Sequence, residues 1–262
     1  MAKYKFSDRL MFAIVMHDES LCRQFIERLF PEKKVKKIGM LTSEKAIING
    51  LKSKSVRLDV MFEDDKNIYD IEMQVTERGN LPKRARYYHS SMDVQTLKRG
   101  EEYDKLKQSY VIFICMFDLY GLGEPIYRFE RYDRNLGLQM GDESFTIMLD
   151  VTCPREKVPK VLEPFFTYVK DEIVEDDEFI AEIHEKVEKA NHDAEVIEIM
   201  TLDEDYRMWN SALKHETEMW KARAKESYAE GEQSGIEKGK QSVIEKMRAS
   251  GMSEEQIAQI LG

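Results

Sequence analysis

The stretch RLDVMFEDDKNIYDIEMQV, Arg57 to Val75, constrains the fold of this chain more than any other. Two runs of alternating apolar residues flank a polar segment, the pattern of a β-hairpin. With a two-residue turn centred on Asp65–Lys66, partner numbers sum to 131. One face then carries Val56, Leu58, Val60 and Phe62 opposite Tyr69, Ile71, Met73 and Val75, wholly apolar and directed at a core. The other carries Asp59 opposite Glu72 and Arg57 opposite Gln74. Directly opposed residues have Cβ atoms roughly 4.5–5.5 Å apart, so the two carboxylates repel. A divalent cation between them offsets that cost, since Mg²⁺ accepts one or two carboxylates together with waters and substrate phosphates. A solvated polar face, or a protonated or water-bridged pair, produces the same spacing without a metal.

Around the hairpin the pattern is mixed in front and helical behind. Ser7 to Phe30 reads as helix broken near His17–Ser20, with Leu21, Phe25 and Leu29 on one stripe and Pro31 closing it. Extended segments are expected around 35–41 and 45–49. Leu81–Leu97 reads as a helix with Pro82 in its first turn. Ser109–Asp118 is almost purely apolar, the profile of a central strand buried on both faces, and Ile126–Asp133 and Ser144–Val151 read as further strands. From Arg155 onward the chain is charged and helical. The expected fold class is α/β (α+β): a mixed sheet flanked by helices, with a helical C-terminal extension. The expected organisation is a core over 1–154, an acidic helical region over 155–220 and a flexible helical tail over 221–262.

The net charge of −10 argues against a nucleic-acid partner only if it is spread evenly, and it is not. Lys33 to Arg57 holds eight basic residues against Glu44 alone, whereas Asp171 to Asp205 holds fifteen acidic residues against two lysines. A basic front permits a polyanion at one end, although two ordinary solvated faces would look the same. Arg78 to Tyr110 adds eight basic residues against four acidic. Lys83, Arg84 and Arg86 lie there beside Tyr87 and Tyr88, and basic residues among aromatics suit phosphate contact and base stacking. His89 is the only histidine in this cluster, and a lone histidine there carries no catalytic role. Cys22, Cys115 and Cys153 are odd in number and set among apolar residues, as expected of reduced core thiols in a cytoplasmic protein. The opening MAKYKFSDRL has no apolar run of the kind a signal peptide needs, and YVIFICMF is far too short to span a bilayer.

The residues are more specific than their spacing. LDVMFEDDKNIYDIEMQV resembles the active-site hairpin of the PD-(D/E)xK nuclease superfamily: an Asp on one strand, then (Asp/Glu)-x-Lys on the next. Within it the chain is similar to the Rpn-type recombination-promoting nucleases, also called PD-(D/E)xK family transposases, in which the last position is often Gln. FSDRLMF and NLPKRARYYHSSMDVQTLKRGEEYDKLKQSYVIFICMFD extend the likeness over Ser7 to about Val151. The resemblance implies a restriction-endonuclease-like fold, a Mg²⁺-dependent DNA endonuclease, and Asp59 and Glu72 as metal ligands with the Met73 backbone carbonyl as a third. Mn²⁺ would serve in place of Mg²⁺, Ca²⁺ would support binding only, and no small-molecule cofactor is implied. Asp8 matches an acidic position that could reach the metal through water; a carboxylate complementing the helix dipole beside Ser7 is the alternative.

Gln74 stands where the superfamily has Lys. Its amide orients water but brings no charge. Either the metal does more of the activation or a neighbouring cation replaces the Lys, and Arg57 is the candidate from the hairpin geometry. The expected DNA-contacting set is Arg57, Lys83, Arg84, Arg86, Tyr87 and Tyr88. Two other readings remain open: a catalytically degenerate DNA-binding or regulatory protein on the same fold, and an interaction protein whose acidic helices bind a partner. In the tail, Gly231, Gly235 and Gly239 lie at four-residue spacing in a polar helix, which suggests a flexible or bent connector. MSEEQIAQILG then carries a capping box, Ser253 with Gln256, heading a short helix for self-association in a homodimer or for docking.

Overall fold

The computed structural model describes residues 4–41, 60–77 and 79–261. Arg57 and Asp59, the extended segment expected at 45–49, and Val56 and Leu58 all lie outside the described residues.

Two helices lead in. Asp8 caps α1 (Arg9–Val15) by accepting from the backbone N–H of Leu10 and Met11, and Asp18 caps α2 (Glu19–Leu29) through Ser20 and Leu21. The interruption expected near His17 is therefore a helix end followed by a new cap. The sheet contains β1 (Gly39–Met40), β2 (Val60–Glu63), β3 (Asn67–Gln74), β4 (Gln108–Cys115), β5 (Ile126–Phe129) and β6 (Ser144–Asp150). Its spatial order is β1-β2-β3-β4-β6-β5. The pairs β3–β4 and β4–β6 are parallel and the rest antiparallel. Helix α3 (Leu81–Thr96), with Pro82 in its first turn, carries the chain from β3 to β4.

The hairpin has the register expected of it: Val60 pairs with Ile71, Phe62 with Tyr69 and Glu63 with Ile68. Asp64 holds the turn, its carboxylate accepting from the backbone N–H of Lys66 and Asn67, both at 2.8 Å. A ladder of stacked rings locks the sheet laterally, Phe62 on Tyr69 on Tyr110 on Phe145, with centroids 5.0, 5.3 and 4.9 Å apart. Each of these is also a register pair, so a slip of one residue would break all three stacks at once.

Val60, Tyr69, Ile71, Met73, Ile112 and Leu149 face the main core, shared with α1, α2, α4 (Glu163–Asp171) and α5 (Glu178–His192). The opposite face is not solvated. Met61, Ile68, Val111, Phe113, Cys115 and Met148 pack under Leu81, Ala85 and Met92 of α3. Every residue of β3 is buried, because the strand lies between β2 and β4 with helices on both sides. Asp70, Glu72 and Gln74 are therefore enclosed by α3.

Several expected bounds change. Val75 lies past the end of β3 and is 48% exposed, so it is not part of the core face. The central strand stops at Cys115, since Asp118 belongs to a turn in which its carboxylate accepts from the N–H of Tyr120, Gly121 and Gly123. The strand expected over Ile126–Asp133 ends at Phe129, and the extended segment at 35–41 contributes only Gly39–Met40. All three cysteines are buried and free.

Two compact units divide the chain, residues 1–203 and 204–262. Helix α6 (Ala194–Ala249) is continuous, so Gly231, Gly235 and Gly239 fall inside a helix rather than in a break. A Cβ on any of the three would meet nothing within 4 Å, and packing gives no reason for glycine there. The helix ends in a Schellman motif, Met252 N–H to Met247 carbonyl and Gly251 N–H to Arg248 carbonyl, with Gly251 at φ 87°. In α7 (Glu254–Leu261) the capping box forms: Ser253 N–H donates to Gln256 Oε1 at 2.9 Å, and Gln256 N–H donates back to Ser253 Oγ at 3.4 Å.

Candidate active site

Glu72 is the centre of the most concentrated buried charge near the hairpin. Strand alternation turns it toward α3, two residues after the buried Asp70 and two before Gln74. It is 1% exposed. A carboxylate taken out of water at that depth needs cations and donors around it, and two arginines supply them. Arg84 Nη2 reaches both Glu72 oxygens. Arg9 Nη2, from the first residue of α1, donates to Glu72 Oε1 at 2.8 Å.

Arg84 is itself firmly held. Its Nη1 donates to Gln74 Oε1 at 2.9 Å, and its Nη2 donates to the Tyr88 phenol oxygen at 2.9 Å. The guanidinium lies 5.5 Å from the Tyr88 ring centroid and 5.7 Å from that of Phe113. Helical spacing explains the pairing, because residues 84 and 88 are one turn apart on the side of α3 facing the sheet. Burial works against the Arg84 charge, but Glu72 and Tyr88 outweigh it and lift its pKa above the ordinary arginine value. In the next pair across the sheet, Gln74 beside Cys115, burial raises the thiol to about 12, with Asp150 and Glu72 adding and Arg84 opposing. Cys115 is therefore a neutral thiol.

The other expected site residues fall as follows. Asp59 and Arg57 lie outside the described residues. Asp8 is the α1 N-cap itself. Met73 directs its side chain into the main core; its backbone carbonyl turns away from the β4 side, where the carbonyls of Lys66 and Gln74 accept from the N–H of Gln108 and Met116. Lys83, Arg86 and Tyr87 are exposed on α3, and Tyr88 is half-buried. Arg84, expected on a surface DNA track, instead turns inward to the cluster, because the buried carboxylate needs a counter-charge. His89 bridges Ser109 Oγ at 2.8 Å and Thr146 Oγ1 at 3.1 Å, and burial drops its pKa to about 4, with Arg131 adding. It is a neutral structural histidine.

Sequence reasoning missed Arg9 and Asp70. Arg9 carried a readable signal, since a cation directly after an N-cap opposes the helix dipole and so invites another reason for its presence. Asp70 carried one too, sharing the parity of Glu72 and Gln74 along the strand.

Hard oxygen donors such as Glu72 and the Met73 carbonyl suit Mg²⁺ or Mn²⁺ rather than zinc. Among the described residues, no three His, Cys, Asp or Glu side chains gather closely enough to hold a metal on their own. One carboxylate with a carbonyl and waters remains an acceptable donor set for Mg²⁺, and in that sense the site fits.

A six-stranded mixed sheet flanked by helices, with E-x-Q on the second hairpin strand under a basic helix, is the PD-(D/E)XK nuclease fold. Residues 3–130, a segment that ends just after β5, match the family model described as PD-(D/E)XK nuclease family transposase. No curated protein and no solved structure matches the chain. The family supports a nuclease or transposase-associated role, with DNA the implied substrate and a divalent metal the general requirement of such nucleases. No helix among the described residues is long and apolar enough to cross a membrane.

Proposed function

We propose that this protein is a Mg²⁺-dependent DNA endonuclease that hydrolyses phosphodiester bonds in recombination or mobile-element processes. The observation that carries the reading is the Glu72 carboxylate, buried to 1% yet held by Arg84 and Arg9, with Gln74 bonded to Arg84 beside it. A strand in a purely structural role gains nothing from a charge at that depth, where apolar side chains of similar size do as well or better. Asp59, Glu72 and the Met73 carbonyl would hold the metal, with Asp8 reaching it at most through water. A bound divalent cation lowers the pKa of water and neutralises developing phosphoryl charge.

The chain's own residues do the rest. Gln74 orients the attacking water through its amide. Arg84, already bonded to Gln74, supplies the positive charge that the motif Lys brings elsewhere, in preference to Arg57. Lys83, Arg86 and Tyr87, exposed one helix face away, contact the DNA backbone and bases.

Plasmid nicking with and without Mg²⁺ tests the reading. Nicking is expected for the parent and should fall to background in Glu72→Ala and Asp59→Ala; nicking that persists in both would overturn the assignment. One observation favours a second reading, a DNA-binding protein without catalysis. Both Glu72 oxygens are already held by guanidinium groups, and a metal must compete with them. A gel shift in Ca²⁺ with no nicking in Mg²⁺ would select that reading.

A further inference from the structure

The Glu72 cluster holds two donors that the fold does not use. Arg9 Nε and Gln74 Nε2 are both buried and have no hydrogen-bond partner among the described residues. Folds leave few such groups, because a buried donor without an acceptor is destabilising. Both orphans belong to side chains already fixed on the cluster, Arg9 through Glu72 and Gln74 through Arg84. Two unmet donors call for an acceptor, and guanidinium N–H groups beside an amide suit an oxyanion, above all phosphate.

A water is the rival occupant. Asp150 Oδ2 is also buried without a partner, and Asp150 pairs with Cys115, which pairs with Gln74. A water linking Gln74 to Asp150 would satisfy both of those atoms, but it leaves Arg9 Nε unexplained. An anion accounts for Arg9 as well.

We propose that Arg9, Gln74 and Arg84 form a receptor for a non-bridging oxygen of the scissile phosphodiester, with Arg9 Nε and the Gln74 amide as its hydrogen-bond donors. The proposal rests on the endonuclease reading of the same site, yet the binding it describes needs neither metal nor bond cleavage. Arg9 is thereby a substrate-positioning residue that the hairpin motif does not contain.

The test uses the full chain, ¹⁵N-labelled, in EDTA, titrated with inorganic phosphate at constant ionic strength. The side-chain Nε–H resonance of Arg9 is assigned by its loss in Arg9→Lys. That resonance is expected to move and saturate. Phosphate affinity should fall about tenfold or more in Arg9→Lys, which keeps the charge but lacks the Nε–H, and similarly in Gln74→Met. An unmoved Arg9 resonance, or unchanged affinity in these variants, overturns the receptor. Gln74→Met leaves both arginines in place and carries the affinity test if Arg9→Lys does not fold. A phosphate response without any Mg²⁺-dependent nicking sinks the endonuclease reading and leaves a phosphate-binding site whose phosphodiester is not cut; nicking without the response sinks the receptor alone.

Discussion

Arg84→Met is the most informative single perturbation of this fold. It keeps the apolar stem between Tyr88 and Phe113 and deletes the guanidinium, so among the described residues Glu72 keeps Arg9 alone as a cationic partner. The Glu72 side chain is 2% exposed, whereas Arg84 is 23% and Arg9 32% exposed. Removing one partner of a buried pair costs about 3–5 kcal/mol, because the survivor cannot return to water. With Arg9 still attached, the cost shifts down from that range, to about 2–4 kcal/mol. Glu72→Gln leaves arginines with partial access to solvent and should cost only about 1 kcal/mol. The double variant should cost less than the sum, with a coupling of about 1–3 kcal/mol. Urea unfolding, followed by a fluorescence or amide signal from the sheet unit, measures all three. Arg84→Met within about 0.5 kcal/mol of the parent, or no worse than Glu72→Gln, would refute the claim that the cluster is a buried ion pair held chiefly by Arg84.

The same geometry predicts that Gln74→Lys, which restores the superfamily's residue, loses nicking activity, because its ammonium meets the Arg84 Nη1 that now donates to Gln74. Adding Arg84→Gln in the same molecule should return part of the activity; a fully active single variant would show that Arg84 does not supply the missing charge. Burial holds the His89 pKa near 4, below the ordinary 6.5, so the unfolded chain binds more protons between those values. Stability from this group is therefore complete above about pH 6.5 and falls as pH drops toward 4, by at most about 1.4 kcal/mol per pH unit. His89→Gln should flatten that part of a pH–stability curve, and an unchanged slope would place the titration elsewhere. Charge reversal at Lys83 and Arg86 should weaken DNA binding and lower the salt slope by about one per lost phosphate contact. An unchanged slope moves the DNA track off this helix, most simply to the basic segment Lys33–Lys54.

The hairpin register was legible because it rests on local pattern alone: alternation sets the faces, and a turn rich in Asp sets the pairing. The helix interruption at His17 and the capping box at Ser253 were legible for the same reason, since each is a backbone–side-chain arrangement within four residues. What enclosed Glu72 was not local. Periodicity shows that Asp70, Glu72 and Gln74 share a face, but not that α3 covers it, because a polar-looking face reads as solvated until the crossover helix is placed. Arg84 and Arg86 are indistinguishable by composition, two positions apart in one basic stretch. Their fates differ because 84 falls on the 81–85–88–92 side of the helix and 86 does not, a difference of 200° around its axis at 100° per residue.

On the proposed endonuclease reading, that distinction bears on how a site with Gln74 in place of the motif lysine obtains its positive charge. A lysine at position 74 would bring its charge on the same strand as Glu72. Here the strand supplies an amide, and the charge arrives from α3 and α1, two elements that meet Glu72 only through tertiary packing. The cationic function is then tied to the docking of helices: loosening Ala85 or Met92 under α3 would shift Arg84 relative to Glu72 without touching either residue. Met92→Ala, a core truncation of a fully buried side chain, should cost about 2–5 kcal/mol in stability. It should also lower nicking by more than the fraction of unfolded protein accounts for. Activity that merely tracks the folded fraction would mean that Arg84 finds Glu72 regardless of how α3 is seated, and the charge would have to be reassigned to Arg9.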